Sequence, residues 1–237
     1  MKARSAIAAV ILPFVAALIP FRAQAQESPL DSALKKMDAA AANFHTTQAE
    51  FEWDRYERVI DEVDDVQSGT IYYRRTGKDA NKEIEMKADI VKPDHKYVLF
   101  SDGKLRMYLP KPDQVTVYDA GKNRADFETY LVLGFGGSGE DLRKAFDITY
   151  VGPETINGVA TAKLKLVPKS EKVRGTFKEI LLWIDLERGI SVQQQFFEPS
   201  GDYRLSKYSN IQVNKKISND AFKLKTTGKT KIVKPNG

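Results

Sequence analysis

Hydrophobic and polar residues alternate through the middle of the chain. From Glu83 to Ile90 every second residue is apolar, and its neighbours are charged. This period of two predicts a strand with one apolar and one polar face. Turn residues then separate further short runs, at Pro93-Asp94, Ser101–Lys104 and Pro110–Asp113. The pattern therefore predicts an antiparallel meander of four strands with one apolar face.

A helix and two strands are predicted before this meander. Apolar residues recur at helical spacing from Leu30 to Ala41, and Ser28-Pro29 is typical of a helix start. Alternation returns in a strand from Thr47 to Asp54. A second strand, Thr70 to Arg74, is expected after a turn at Gln67-Ser68-Gly69.

After Val117 the hydrophobic period lengthens. It predicts a helix around Ala125 to Leu133, a mobile glycine-rich loop from Gly134 to Gly139, and a short helix from Asp141 to Phe146. The rest of the chain returns to strands. We expect a mainly β (α+β) domain with about eleven strands in one sheet or barrel and about three helices.

The N-terminal residues have the pattern of a secretory signal peptide. Lys2 and Arg4 precede an apolar run that ends near Pro20, and Ala23-Gln24-Ala25 is a typical cleavage site. We expect residues 1–25 to be removed and residues 26–237 to form one soluble domain. The apolar run is too short for a comfortable membrane span. The chain has no cysteine, so its stability must come from a hydrophobic core.

Charge gives no indication of nucleic-acid binding. The formal net charge is +5; without the three basic residues of the signal peptide, 34 basic residues face 32 acidic ones, a balance of +2. Basic and acidic residues are interleaved along the sequence, as in Lys78-Asp79 and Lys82-Glu83. This distribution is typical of a mixed, solvated surface.

The residue pattern indicates no catalytic or metal site. The two histidines, His45 and His95, stand apart without metal-ligand spacing. The acidic stretch Asp61–Asp65 does not match a calcium loop, and the glycines from Gly134 to Gly139 include no phosphate-binding lysine. We therefore expect a protein that is not an enzyme, with neither a cofactor nor a metal.

The remaining candidate site is the apolar face of the sheet. Three modest helices are too few to cover about eleven strands, so part of this face is expected to bind an apolar ligand. The alternative is an ordinary sealed core, the usual role of aromatic and methionine stripes. The predicted cavity residues are Phe51, Trp53, Ile71, Tyr73, Met86, Ile90, Leu99, Met107 and Leu109. A movable lid is predicted at Phe127, Tyr130 and Leu131.

Several short motifs follow one another in order along most of the chain. They are Asn43-Phe44-His45, Gln48–Phe51, Gly69–Arg75, Val98–Lys104, Met107–Pro110, Leu182–Asp185, Ser200–Asp202 and Asp220-Ala221-Phe222. In order and spacing they resemble the LolA family of periplasmic lipoprotein carriers. The resemblance implies an incomplete antiparallel β-barrel with a helical lid, whose apolar cavity holds the acyl chains of a lipoprotein.

The resemblance also implies partners and a gate. A LolA-like carrier takes its cargo from an inner-membrane lipoprotein-releasing ABC transporter complex, passes it to an outer-membrane acceptor, and acts as a monomer. The family's lid-holding arginine corresponds to Arg75, with Arg74 as its neighbour. Here the proline that usually follows is absent, and Arg106 and Met107 replace a common aromatic pair. Such departures imply a divergent member with its own cargo.

Two other functions remain open at the level of sequence. A protein of this fold could sense envelope lipids and regulate a partner, as RseB-type domains are thought to do. We expect the extra partner-binding domain of those proteins to be missing here, which makes this function less favoured than the carrier. An exported hydrolase is disfavoured, because no nucleophile and base can be paired.

Overall fold

The computed structural model describes residues 27–77, 83–121, 131 and 133–235. Helix α1 spans Pro29–Ala42, as the sequence predicts. The Ser28 side chain caps it by accepting a hydrogen bond from the Asp31 backbone amide at 3.1 Å. Its buried residues fall on one face at helical spacing, so α1 packs against the sheet with a narrow apolar stripe.

Twelve strands of the described residues form a single sheet that is antiparallel except at one edge. Its order is β12-β6-β5-β4-β3-β2-β1-β11-β10-β9-β8-β7, and no pairing joins β12 to β7. The sheet is therefore an open half-barrel, as predicted. The strands are β1 Thr46–Glu57, β2 Glu62–Thr76, β3 Glu83–Lys92, β4 Lys96–Ser101, β5 Lys104–Leu109, β6 Gln114–Asp119, β7 Phe146–Ile156, β8 Val159–Pro168, β9 Glu179–Asp185, β10 Ser191–Phe197, β11 Tyr203–Val213 and β12 Lys231–Val233.

The predicted meander is confirmed as β3 to β6. Asp102 and Gly103 both have positive φ in the turn between β4 and β5, which is the conformation of a tight two-residue hairpin. Asp113, with φ 45°, ends the turn between β5 and β6. Local turn chemistry and alternation were sufficient to place these four strands.

The turn predicted at Gln67-Ser68-Gly69 is wrong. Strand β2 runs through these residues and pairs with β1 along nearly its whole length. Gly69 serves a different purpose, because a methyl group there would lie 1.9 Å from the carbonyl oxygen of Asp89 on β3. The glycine permits close strand approach at a register shift rather than a change of direction.

The α-helices lie on one face of the sheet. Besides α1 they are α2, Gly139–Ala145, and α3, Glu171–Arg174. A 3-10 helix, Asn219–Phe222, lies on the opposite face. Helix α2 confirms the short helix predicted from Asp141 to Phe146, except that Phe146 begins β7. The helix predicted around Ala125 to Leu133 falls mostly outside the described residues, and so do Phe127 and Tyr130 of the predicted lid.

Two hydrophobic clusters make up the core of the described residues. One joins α1 and α2 to strands β7 to β9, with Leu34, Met37 and Leu142 as its helical members. The other covers β1 to β4 and includes Phe44 and Phe135. The helices thus seal the β7–β9 half of the inner face, whereas short segments cover the β1–β4 half.

The outer face of the β1–β6 half is also covered. After β11 the chain crosses this face, and Phe222 is buried against Tyr72 and Arg74. The chain then reaches the far edge of the sheet as β12, which pairs in parallel with β6. None of the described helices is both long and apolar enough to cross a membrane.

Candidate functional site: a cavity on the inner face

A cavity of about 810 Å³ lies on the inner face, beside the two core clusters. This volume is typical of pockets that enclose small ligands, roughly 300–1,000 Å³. Apolar side chains dominate its wall. The lining residues are Trp53, Asp54, Arg55, Asp65, Gln67, Ile71, Tyr73, Met86, Leu131, Lys172, Val173, Thr176, Phe177, Gln194, Phe196, Arg204, Ser206 and Tyr208.

Four of the nine predicted cavity residues line this space: Trp53, Ile71, Tyr73 and Met86. They come from β1, β2 and β3, and alternation places them on the same face of the sheet. Leu131, the described member of the predicted lid, also lines the cavity. The structure therefore brings these residues of the prediction together around one cavity.

The other predicted residues lie elsewhere. Phe51 and Ile90 are buried in the adjacent core cluster, 3% and 1% exposed. Met107 and Leu109 share the inner face with Met86 but lie two strands further along and do not line the cavity.

The predicted position of Leu99 in the cavity is corrected, because this residue lies on the outer face of β4. It pairs with Lys87 on β3 and Arg106 on β5, whereas its neighbour Phe100 pairs with Met86. Residues paired in register share a face, and consecutive residues take opposite faces. Leu99 therefore lies on the outer face, where it is 7% exposed.

The segment Leu133–Gly136 packs beside the cavity, against residues that line it. The Phe135 ring is 1% exposed and lies 5.2 Å from the Tyr73 ring and 4.9 Å from the Tyr208 ring. The carbonyl oxygen of Leu133 accepts a hydrogen bond from the side-chain amide of Gln194. The carbonyl oxygen of Gly134 accepts one from the backbone amide of Ser191 at 3.0 Å. We name this segment the aromatic plug.

The glycines of the plug, and Gly139 at the start of α2, permit close packing with neighbouring segments. Gly134 and Gly136 have φ values of 139° and 91°, which side chains rarely adopt. A methyl group at Gly136 would lie 2.7 Å from the Phe44 ring, and one at Gly139 would lie 2.6 Å from the Leu34 carbonyl oxygen. Gly134, Gly136 and Gly139 are therefore closely packed in this structure, and the interpretation of Gly134 to Gly139 as a mobile loop stays a prediction.

Arg75 joins the plug to α1. Its guanidinium donates to the carbonyl oxygen of Ala41 at 2.8 Å and to that of Gly136 at 3.0 Å, and lies 5.4 Å from the centre of the Phe44 ring. Burial lowers the pKa of Arg75 from its ordinary value, and the Asp141 carboxylate opposes this shift. One side chain therefore bridges two segments that cover the inner face.

Arg74 points to the opposite face. It pairs with Glu85, donates to the Asn219 side chain at 2.7 Å, and lies 4.2 Å from the centre of the Phe222 ring. Alternation along β2 explains why neighbouring arginines have such different partners. Of the two gate candidates, only Arg75 contacts the plug in the described part of the chain.

Charged residues mark the side where the cavity reaches solvent. Arg55, Lys172 and Arg204 are exposed, and Asp65 is half-buried and accepts a hydrogen bond from Gln67. Arg204 pairs with Glu198 at 2.9 Å. The cavity thus combines an apolar interior with a polar rim, an arrangement suited to a ligand with an apolar chain and a polar end.

Burial affects the two tyrosines next to the plug. It raises the pKa of Tyr208 to about 12 and the pKa of Tyr73 well above its ordinary value. Both side chains are therefore neutral in ordinary buffers, and they extend the apolar surface around Phe135.

Sequence reasoning missed the second wall of the cavity. Gln194, Phe196, Ser206 and Tyr208 belong to β10 and β11, which reach β1 through pairs such as Phe51 with Tyr208. These pairs join residues far apart along the chain, and no local pattern indicates them. The apolar residues Val192 and Phe196 on β10 were the available signal.

No catalytic arrangement stands out in the part of the chain that the structure describes. His45 and His95 are both exposed and lie in different turns. Within the described ranges, no three acidic or histidine side chains are placed to hold a metal ion.

Comparison with known proteins gives structural matches only. No protein-family model matches the chain, and no curated protein matches its sequence. An uncharacterized conserved protein from Thermus thermophilus is similar in structure, with 11% identity and a TM-score of 0.52, over 85% of this chain and 96% of the other. MucB is similar at 12% identity and a TM-score of 0.51, over 81% of this chain.

The chain spans only 61% of the MucB chain. A LolA superfamily protein from Nitrosomonas europaea matches at 12% identity with a TM-score of 0.41, over 84% of this chain and 99% of the other. At such identities, the two matches with TM-scores above 0.5 show a shared fold and nothing of function. That fold is an open, mostly antiparallel sheet with helices across its inner face.

Proposed function

We propose that this protein is an exported, non-enzymatic carrier that holds the acyl chains of a lipoprotein or lipid in its inner-face cavity and shuttles them from the inner to the outer membrane. The observation that supports this most directly is the apolar cavity of about 810 Å³ with a charged rim. An acyl chain fits its interior, and a polar head group or peptide fits its rim.

The energetics of transfer make such a cavity useful. A 16-carbon chain exposed to water costs roughly 12 kcal/mol at about 0.8 kcal/mol per methylene. An acylated molecule therefore needs an apolar enclosure to cross an aqueous compartment. Met86 on the cavity wall suits a carrier, because a thioether side chain repacks around irregular ligands.

The aromatic plug supplies a way to close the empty cavity. Phe135 occupies apolar space between Tyr73 and Tyr208 that an acyl chain could fill if the plug withdrew. Arg75 would then act as the gate, since its two hydrogen bonds join the plug to α1. In this proposal cargo and plug compete for the same surface.

The partners follow from the proposed route. The carrier would receive its cargo from an inner-membrane ABC transporter complex and give it to an outer-membrane acceptor. Signal-peptide removal after Ala25 would deliver it to the periplasm.

Filling the cavity tests the proposal. Ser206 is a small lining residue that pairs with Trp53 on β1 and Gln194 on β10. Ser206→Trp should weaken binding of a fluorescent fatty acid by about tenfold or more, since the new ring takes up the space of several methylenes. Ser209→Trp is the matched control, because Ser209 is exposed on the same strand.

Two results would contradict the proposal. One is the absence of fatty-acid binding to the wild type, and the other is equal binding by both tryptophan variants. Transfer of the probe between donor and acceptor vesicles then separates a carrier from a lipid-sensing module, which would bind the probe without accelerating transfer.

A further inference from the structure

Charge is unevenly distributed along the sequence. Residues 27–214 carry 27 basic and 31 acidic side chains, a formal charge of −4, whereas residues 215–235 carry seven lysines and one aspartate, a formal charge of +6. We name residues 215–235 the lysine strap. The mixed surface expected from the sequence therefore applies to the body of the protein and not to this segment.

The strap is fixed to the outer face at its start. The Asn214 side chain accepts a hydrogen bond from the His45 amide at 2.8 Å, and the Thr46 hydroxyl donates to the Lys215 carbonyl oxygen at 2.7 Å. Further along, Phe222 is buried against Arg74, and Asn219 accepts a hydrogen bond from the same guanidinium. The strap thus has a defined path across the sheet.

A second set of bonds holds the far end. The Asp113 carboxylate accepts hydrogen bonds from the hydroxyls of Thr227 and Thr230, each at 2.6 Å, and the Asp113 carbonyl oxygen accepts one from the Lys231 amide at 2.9 Å. Strand β12 then pairs with β6. Hydrogen bonds to Thr227 and Thr230 hold the pKa of the Asp113 carboxyl below its ordinary value.

The lysines of this fixed strap all face solvent. They are Lys215, Lys216, Lys223, Lys225, Lys229, Lys231 and Lys234. Lys223 pairs with Asp220, the single acidic residue of the strap. Ile232 lies among them on β12 and is 66% exposed. The strap therefore presents a positive surface that includes one exposed apolar side chain.

We propose that the lysine strap docks the protein on an anionic lipid bilayer. Clusters of four to eight basic residues are attracted to anionic lipid head groups, each exposed lysine adding to the affinity. Ile232 can insert among the head groups, because its side chain is already exposed. This surface lies on the outer face, away from the cavity, so docking goes beyond the proposed carrier function and does not depend on it.

The choice of basic residue favours a lipid surface over an acidic protein. The strap contains seven lysines and no arginine. Guanidinium groups are preferred for bidentate pairing with protein carboxylates, whereas ammonium groups are compact, strongly hydrated point charges. Spread along a strap that crosses from β1 to β6, they suit attraction to a diffuse negative charge.

Vesicle co-sedimentation tests the proposal. The full mature chain should bind vesicles of phosphatidylcholine with phosphatidylglycerol, should not bind phosphatidylcholine alone, and should be released between about 0.05 M and 0.5 M salt. Replacing Lys216, Lys225 and Lys229 by Glu removes the whole formal charge of the strap. This variant should bind the anionic vesicles about 100-fold more weakly.

A matched control has the same net charge. It replaces Lys36, Lys104 and Lys178, exposed residues of the body, by Glu. Circular dichroism melts should show that both triple variants are folded, and the control should bind vesicles far better than the strap variant. The cavity variant Ser206→Trp should dock like the wild type, which separates a failure of docking from a failure of the carrier function.

Three outcomes would overturn the proposal. They are no binding of the wild type to anionic vesicles at low salt, equal loss of binding in the two triple variants, and tighter binding to poly-glutamate than to vesicles at matched charge concentration. The last would identify an acidic protein as the partner instead. The salt dependence of the wild type provides a test even if a variant does not fold.

Discussion

Replacing Arg75 by leucine should shift the equilibrium of the aromatic plug toward its open position. The substitution removes two charge-assisted hydrogen bonds, to Ala41 and Gly136, each worth roughly 1.5–3 kcal/mol when well buried. Since the side chain is only half-buried, about 2–3 kcal/mol for the pair is a reasonable value. That corresponds to a shift of roughly 30-fold to 150-fold in the closed-to-open ratio.

Fluorescence offers a direct assay. Trp53 lines the cavity, so energy transfer from it to a bound fluorescent fatty acid reports occupancy. Arg75→Leu should bind the probe more tightly, by up to the factor above, and should release it more slowly to acceptor vesicles. Arg74→Leu is the control, since it removes the same charge from the outer face.

Two results would refute this reasoning. If Arg75→Leu and Arg74→Leu both bind and release the probe like the wild type, the arginine does not gate the cavity. If Arg75→Leu binds less tightly than Arg74→Leu, its hydrogen bonds stabilise the binding-competent form instead of the closed one.

The other predictions concern the plug, its tyrosine neighbour and the N-terminus. In urea titrations, Gly136→Ala should lose roughly 1–3 kcal/mol more of the free energy of unfolding than Gly158→Ala. Both glycines have positive φ, but only a methyl group at Gly136 would meet a neighbour, Phe44. Equal losses would contradict this. Stability from burying neutral Tyr208 should be complete below pH 10 and disappear as the pH rises toward 12, a change of roughly 2–3 kcal/mol that Tyr208→Phe should abolish. The mass of the exported protein should match cleavage after Ala25; an intact N-terminus would disprove it.

The sequence predicted those helices and strands that are specified by residues close together in the chain. Helix α1 has a capping serine and an apolar stripe, and β3 alternates strictly, so both could be located from the sequence. Strand β4 shows the limit of this approach. Its run Tyr97-Val98-Leu99-Phe100 is continuously apolar. Leu99 on the outer face and Phe100 on the inner face are both buried, and such a run does not reveal which residue lies on the inner face.

The cavity itself was only half predictable. Its first wall follows from alternation in β1 to β3, but its second wall depends on the pairing of β1 with β11. The role of the plug was hidden for a different reason. The sequence does not show whether a glycine provides a hinge or permits close packing. At Gly136 the structure shows close packing, because an added methyl group would meet the Phe44 ring.

The unpaired edges of the sheet give the cavity mechanical compliance. In a closed barrel, widening the interior breaks hydrogen bonds, since strand number and stagger fix the radius. Here β12 and β7 are separate edges, and small changes in strand twist can open or tighten the curvature while every ladder stays intact. In the proposed carrier, this compliance would let the wall bend around acyl chains of different number and length, and the strain so stored would help to expel them at delivery.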